Sequence, residues 1–175
     1  MSQQKTWSTL MLLAMVFAPS ARAATSTPPC TGPHYQEFDF WVGEWDVYGP
    51  QGRLAGTNSI TREHAGCVIH EHYSTARAYD GESLNTSDAA RGVWHQTWVD
   101  SSGLLLVLEG GLRDGKMVLE GRVQGPAGKP VPQRITWSPG PQGTVRQLWE
   151  QQGADGAWTV VFDGTYVKKK AAGNG

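Results

Sequence analysis

Apolar and polar side chains alternate along the chain from residue 54 onward, and no stretch there keeps the helical repeat of about 3.6 residues. The segments VWHQTWVD and TVRQLWEQ show the alternation most clearly. Glycine-containing turn sequences such as YDGES, DSSG and RDG recur between these runs. The pattern predicts ten strands, near residues 44–49, 54–63, 66–75, 81–87, 91–100, 103–110, 115–123, 132–138, 144–151 and 157–168.

Consecutive short strands joined by tight turns are typical of an antiparallel meander. An open sheet of this many strands would curl or leave exposed edges, so we predict an all-β fold closed into a barrel. Such a barrel has room for a ligand, because eight strands already enclose a small cavity. The 22 glycines suit tight turns and strongly bent strands. A β-sandwich is the competing architecture.

An aromatic stretch, EFDFWVGEWDVY, precedes the strand region. Phe38, Trp41 and Val42 have the spacing of a short helical turn, which Gly43 would end. We therefore expect a short aromatic helix that plugs one end of the barrel, with Trp41 as the plug and Trp45 as its floor.

The first 23 residues have the pattern of a signal peptide. Lys5 is followed by the apolar stretch 7–18, which is too short to span a bilayer, and Ala21 and Ala23 fit a cleavage site after Ala23. The predicted domains are the signal peptide (1–23), a Pro-rich extended arm (24–36), the barrel (37–168) and a flexible tail (169–175). We expect a periplasmic or secreted protein, with an uncleaved N-terminal anchor as the alternative.

The cleaved chain would carry two cysteines, Cys30 and Cys67, which in an exported protein predict a disulfide. Two free thiols are the alternative. After loss of Lys5 and Arg22 the chain would hold 13 basic and 16 acidic residues, and it has no basic stripe suited to nucleic acid. No later segment is apolar enough for a membrane span. The sequence gives no oligomeric state.

Several quoted segments together resemble a known family: FDFWVGEWDVYGPQG, GCVIHEHYS, GESLNTSD, GVWHQTWVDSSG, LEGGLRDGKMVLEG and ITWSPGPQGTVRQLWEQQGADGAWTVVFDGTYVKK. The chain resembles small exported bacterial proteins of the DUF1579 type over roughly residues 37–170. These look calycin-like, similar in shape to lipocalins, fatty-acid-binding proteins and nitrobindins. The resemblance implies a barrel with a ligand cavity and names no ligand.

Alternation on the strands selects the candidate binding residues. Trp94, Gln96 and Trp98 share one face, as do Gln147 and Trp149, and indoles beside amides suit a cavity wall. Trp137 is a further candidate, although the sequence does not decide which face of its strand is inside.

The segment GCVIHEHYST offers two exclusive interpretations. In the favoured one Glu71 and Tyr73 point inward, and burial raises the pKa of Glu71 unless a cation, Arg134 or Arg146, pairs with it. In the other, His70 and His72 point inward as metal ligands, completed by His95 or Glu150.

No histidine follows His95, so haem held by a late strand, as in nitrobindins, is disfavoured and no cofactor is expected. Ser83 and Asn85 are interpreted as turn or edge residues, since no Gly-x-Ser-x-Gly motif occurs, and Tyr166 as a core residue.

Three functions remain open on the sequence. The first is binding of a small, partly apolar ligand. The second is proton-transfer catalysis of the isomerase or lyase type, with Glu71 as general acid/base and Tyr73 and Arg134 as candidate partners. The third is a structural barrel whose interior is filled by side chains.

Overall fold

The computed structural model describes residues 29–125 and 128–170. The signal peptide predicted for residues 1–23 lies outside the described residues, as do the first part of the predicted arm and most of the predicted tail. Within the described ranges the ten strands are β1 Gly43–Tyr48, β2 Leu54–Glu63, β3 Val68–Ser74, β4 Asp80–Asp88, β5 Val93–Asp100, β6 Leu105–Arg113, β7 Lys116–Gln124, β8 Pro130–Pro139, β9 Val145–Gln152 and β10 Trp158–Lys168. Each overlaps one of the predicted strands.

The strands form one closed antiparallel barrel. Every strand pairs with its neighbours in the chain, and β1 also pairs with β10, which places Trp45 opposite Lys168 and closes the ring. The predicted all-β barrel is thereby confirmed and the sandwich excluded. Closure leaves no unpaired strand edge among the described strands. The backbone N–H and C=O groups that an open sheet would expose at its two edges are therefore paired with each other.

Alternation divides each strand into an inward and an outward row of side chains. The inward rows are largely apolar, with buried residues such as Ile60, Leu108 and Leu119. Strand β4 differs, because its buried side chains are the polar Ser83, Asn85 and Ser87. Strand β4 therefore adds a polar wall to an interior in which other strands also bury single polar residues: Asn58, Glu71, Gln96, Gln133 and Gln147.

The aromatic segment before β1 closes one end of the barrel, and we call residues 33–41 the plug. It contains two 3₁₀ turns, Pro33–Gln36 and Asp39–Trp41, so the predicted short helix is present in a tighter form. The ring of Phe38 stacks on that of Trp41 with centroids 4.8 Å apart, and both side chains are buried. The plug buries apolar surface that would otherwise face solvent at the barrel end.

The spacing of the two tryptophans has a specific structural role. Trp45 Nε1 donates a hydrogen bond to the backbone oxygen of Trp41 at 2.9 Å, joining the plug to β1. Between them Gly43 has φ +145°, a conformation that residues with a Cβ rarely adopt. The glycine thus lets the chain turn sharply from the plug into the first strand.

A disulfide between Cys30 and Cys67 holds the plug end, as the sequence predicts. Cys67 follows the 3₁₀ turn His64–Gly66, which connects β2 to β3. The bond therefore anchors the chain before the plug to the barrel wall. Within the described residues no helix is long and apolar enough to cross a bilayer.

Candidate functional site

A cavity of about 300 Å³ occupies the half of the barrel away from the plug. Its walls include residues at the ends of strands joined by the β3–β4, β5–β6 and β9–β10 connections, and the cavity opens at this rim. The rim side is aromatic, lined by Tyr73, Tyr79, Trp98, Trp149 and Phe162. The deeper polar residues are Glu71, Gln96, Gln147 and Tyr166, and aliphatic contact comes from Leu106, Ile135 and Val161. Because the interior is hollow, the structure does not support the filled structural barrel.

Glu71 lies at the base of the cavity, where its residue is 3% exposed. Asn58 Nδ2 donates to Glu71 Oε1 at 2.7 Å, and Ser83 Oγ donates to Glu71 Oε2 at 2.6 Å. Strand pairing explains this arrangement, since Glu71 on β3 is directly opposite Ser83 on β4. Both carboxylate oxygens therefore have a donor from a neighbouring strand.

A chain of hydrogen bonds runs toward the carboxylate from the side of β5. Gln96 Nε2 donates to Asn85 Oδ1 at 2.8 Å, and Asn85 Nδ2 donates to Ser83 Oγ at 2.9 Å. Ser83 in turn donates to Glu71. Aligned bonds of this kind polarise one another, which favours negative charge at the end of the chain.

A second group of polar side chains reaches Glu71 from the side of β2, the other strand paired with β3. Asn58 Nδ2 also approaches the Tyr166 hydroxyl at 3.2 Å, and that hydroxyl donates to Gln147 Oε1. Asn58 and Tyr166 are each about 1% exposed. The polar base of the cavity is thus one connected network across β2, β3, β9 and β10.

Burial raises the pKa of Glu71 to about 7, and the hydrogen bonds from Ser83 and Asn58 act in the opposite direction. Burial also raises the pKa of Tyr166, with a further contribution from the charge of Glu71. The carboxyl group can therefore gain or lose a proton near neutral pH while the surrounding tyrosines remain neutral.

Three of the five aromatic side chains at the rim, Tyr79, Trp98 and Trp149, are held by hydrogen bonds from their polar atoms. Asp100 Oδ2 accepts from the Tyr79 hydroxyl at 2.9 Å and from Trp98 Nε1 at 3.0 Å. Trp149 Nε1 donates to Gln133 Oε1 at 2.7 Å. These bonds fix the rings in place before any ligand arrives, which lowers the ordering cost of binding.

Two strand glycines give the aromatic rings room to lie against the barrel wall. A Cβ placed on Gly81 would lie 2.3 Å from Trp98 Cζ2, and one on Gly56 would lie 2.7 Å from the Tyr73 hydroxyl oxygen. Neither position could hold a side chain without moving its neighbour. The shape of the cavity therefore depends on residues that do not line it.

The structure brings six of the ten predicted ligand-binding residues to the cavity: Glu71, Tyr73, Gln96, Trp98, Gln147 and Trp149. The other four, Trp41, Trp45, Trp94 and Trp137, do not line it. They are buried at the plug end, where the ring centroid of Phe38 is 5.7 Å from that of Trp94 and 5.1 Å from that of Trp137. The structure therefore places these four tryptophans in the core beneath the plug and not against the cavity.

The structure also places Arg134 outside the cavity, where it does not pair with Glu71. It lies in the outward row of β8, where Arg134 Nη2 donates to Glu150 Oε2 at 2.9 Å. Arg146, the alternative partner for Glu71, pairs instead with Asp163. Their positions follow from alternation, because Ile135, Gln147 and other inward residues of β8 and β9 are adjacent to them in sequence.

The histidine interpretation is excluded, since Glu71 rather than His70 or His72 is the inward residue of β3. His70 lies between Glu63 and Glu82 on the outer surface, and His95 contacts Glu109 and Thr97. In the part of the chain that the structure describes, no three His, Cys, Asp or Glu side chains are grouped so as to hold a metal ion.

Sequence reasoning missed several site residues. Asn58, Tyr79 and Phe162 were not proposed, whereas Ser83 and Asn85 were interpreted as turn or edge residues and Tyr166 as core. A usable signal existed for Asn58, because alternation places it on the same face as the buried Ile60. An amide on an apolar face is uncommon unless it has a hydrogen-bond partner.

No protein-family model matches the chain, and no curated protein matches it either. The closed ten-stranded antiparallel barrel is compatible with the calycin-like shape that the resemblance implies.

Proposed function

We propose that this protein is an exported, calycin-like barrel of the DUF1579 type that binds a small, partly apolar molecule in its cavity. The observation that carries the proposal is the cavity itself, about 300 Å³ in volume, with fixed aromatic rings at the rim and a polar network at the base. Ligand sites are usually concave and mostly apolar, with a few polar groups that set orientation. Export is supported by the signal-like N-terminal sequence and by the Cys30–Cys67 disulfide, a bond typical of oxidising compartments.

The lining residues of the proposed site include no histidine or cysteine, which supports a ligand held by aromatic contacts and hydrogen bonds. Contact area would come from Trp98, Trp149, Tyr79 and Phe162. Glu71, Gln96 and Gln147 would determine how the ligand is oriented.

Binding is tested with N-phenyl-1-naphthylamine, a neutral fluorescent molecule small enough for the cavity. We expect its emission to increase on titration with the protein. Leu106→Trp should abolish this increase, because Leu106 lines the cavity and a larger side chain would fill it. Leu105→Trp is the matched control, since Leu105 is adjacent but 60% exposed on the outer face. Equal binding to both variants would refute a cavity ligand.

A second function, general acid/base catalysis, is favoured by one observation: the carboxyl group of Glu71 lies in the cavity and has a pKa of about 7. A base with such a pKa is well matched to proton transfer at neutral pH. A suitable probe is 5-nitrobenzisoxazole, whose ring opens when a base removes its carbon-bound proton. Catalysis should rise with pH through about 7 and be lost in Glu71→Gln. A rate no faster than that of acetate buffer would remove this candidate.

A further inference from the structure

Among the described residues, the buried Glu71 carboxylate is hydrogen-bonded by Asn58 and Ser83 and by no positively charged side chain. The cavity-lining residues include no Lys, Arg or His, and the nearby strands direct Arg134 and Arg146 outward to Glu150 and Asp163. Buried charged groups are normally paired, because removing them from water is costly. The site therefore has a place for a positive charge that the described residues do not supply.

The hydrogen bonds around Glu71 leave acceptors available to a ligand. Each carboxylate oxygen accepts one bond from the protein, from Asn58 and Ser83, although a carboxylate has about four acceptor positions. Gln96 uses its Nε2 to donate to Asn85, while its Oε1 has no donor among the described residues. The base of the cavity thus presents carboxylate and amide oxygens.

The aromatic rim is consistent with the same charge preference. Tyr73, Tyr79, Trp98, Trp149 and Phe162 surround the approach to Glu71. Aromatic faces attract cations and pack against apolar groups, whereas their negative potential is unfavourable for a carboxylate. A ligand anion placed at the base would meet the charge of Glu71 instead.

Accepting the proposed binding function, we propose that the ligand carries a protonated nitrogen, as in a primary amine or an amidine, on a small apolar body. Its N–H groups would donate to Glu71 and Gln96, and its body would pack against the rim aromatics. Fatty acids and other carboxylates are the class that this cavity would reject.

Between pH 6 and pH 8, Glu71 is the group in the cavity whose charge changes, because the tyrosines around it stay neutral. On its own strand and the packed elements these are Tyr73, Tyr79 and Tyr166, and burial raises the pKa of each. The neighbours Asn58 and Ser83 do not titrate. His70 lies on the outer surface with Glu63 and Glu82, and its charge lowers the pKa of Glu71 less than the hydrogen bonds from Ser83 and Asn58 do.

The charge preference of the cavity is tested with three molecules of similar shape: the cation benzylamine, the neutral benzyl alcohol and the anion benzoate. At about pH 8 we expect benzylamine to bind at least tenfold more tightly than either of the others, as measured by calorimetry or by tryptophan fluorescence. Its affinity should fall about tenfold between pH 8 and pH 6 as Glu71 gains a proton, while that of benzyl alcohol stays constant.

Variants then test whether Glu71 causes the amine preference and its pH dependence. Glu71→Gln should remove both the preference for the amine and its pH dependence. Glu120→Gln, which removes an exposed outer carboxylate, should change neither, and His70→Gln should keep the pH dependence. If Glu71→Gln does not fold, the pH series on the unmodified protein still decides the question.

Benzoate binding as tightly as benzylamine near pH 8 would overturn the inference. So would failure of all three molecules to bind while N-phenyl-1-naphthylamine binds, a result that leaves the proposed function standing. Failure of N-phenyl-1-naphthylamine together with all three would instead count against the proposed function itself.

Discussion

Ser83 Oγ donates a 2.6 Å hydrogen bond to Glu71 Oε2, and the two residues face each other directly across β3 and β4. Both are buried inside the barrel. The serine is therefore the immediate support of the only carboxylate among the cavity-lining residues. Its removal should affect the charged form of Glu71 more than the neutral form.

We expect Ser83→Ala to destabilise the protein by about 1.5–3 kcal/mol near pH 8, the usual value for a hydrogen bond to a charged group, and by less near pH 5. The pKa of Glu71 should rise further, because a bond that lowers it is lost. Urea unfolding at the two pH values measures the difference. Ser59→Ala is the control, since Ser59 makes a similar bond to Glu44 on the exposed surface, and its effect should stay near zero.

Stability should depend on pH through Glu71. Its pKa rises from 4.5 to about 7 on folding, so the stabilisation linked to its proton is complete below pH 4.5 and is lost as pH increases through 7. The loss is on the order of 3 kcal/mol. Glu71→Gln should flatten this part of the urea-unfolding profile, whereas Glu120→Gln should leave it unchanged. Parallel profiles for the unmodified protein and Glu71→Gln would contradict the assignment.

Gly81→Ala should move the Trp98 ring, because the new Cβ would lie 2.3 Å from Trp98 Cζ2. We expect a destabilisation of about 1–3 kcal/mol, typical of overpacking, and weaker binding of N-phenyl-1-naphthylamine. Gly111→Ala is the matched control, since a Cβ there meets no atom within 4 Å. Equal effects of the two substitutions would show that Trp98 is not held by contact with Gly81.

Loss of the Cys30–Cys67 bond should lower stability without changing the cavity. The two cysteines are 37 residues apart, and closing a loop of that size stabilises by about 4 kcal/mol on the chain-entropy view. Unfolding of the double variant Cys30→Ser/Cys67→Ser should therefore shift to lower urea concentration. Binding of N-phenyl-1-naphthylamine should remain the same, because the bond lies at the plug end, and weaker binding would show that the two ends are coupled.

The fold could be predicted because strand alternation and turn glycines are local signals that the sequence carries directly. The same alternation correctly placed Glu71, Gln96 and Gln147 inside. It could not distinguish depth along the barrel: Trp94 and Trp98 share a face, yet Trp94 packs under Phe38 while Trp98 lines the cavity. Depth depends on which end the plug closes, a relationship between distant parts of the chain.

Arg134 and Ser83 show a second limit. Pairing Arg134 with Glu71 satisfied the rule that buried charges need partners, but it ignored the closer partner Glu150 on the next strand, which only the β8–β9 register reveals. Ser83 was set aside because no nucleophile motif was present. Its actual role, donation to a carboxylate, depends on the β3–β4 register and has no motif of its own.

The pairing of β1 with β10 sets a condition on how the molecule assembles. Trp45 meets Lys168 across the ring, so the first strand gains its second neighbour only when the last strand is available. A growing chain keeps that edge of β1 unpaired until β10 has emerged. Contacts between such remote segments slow folding, because a long loop must close before they form. The chain therefore acquires its finished shape late and as a whole.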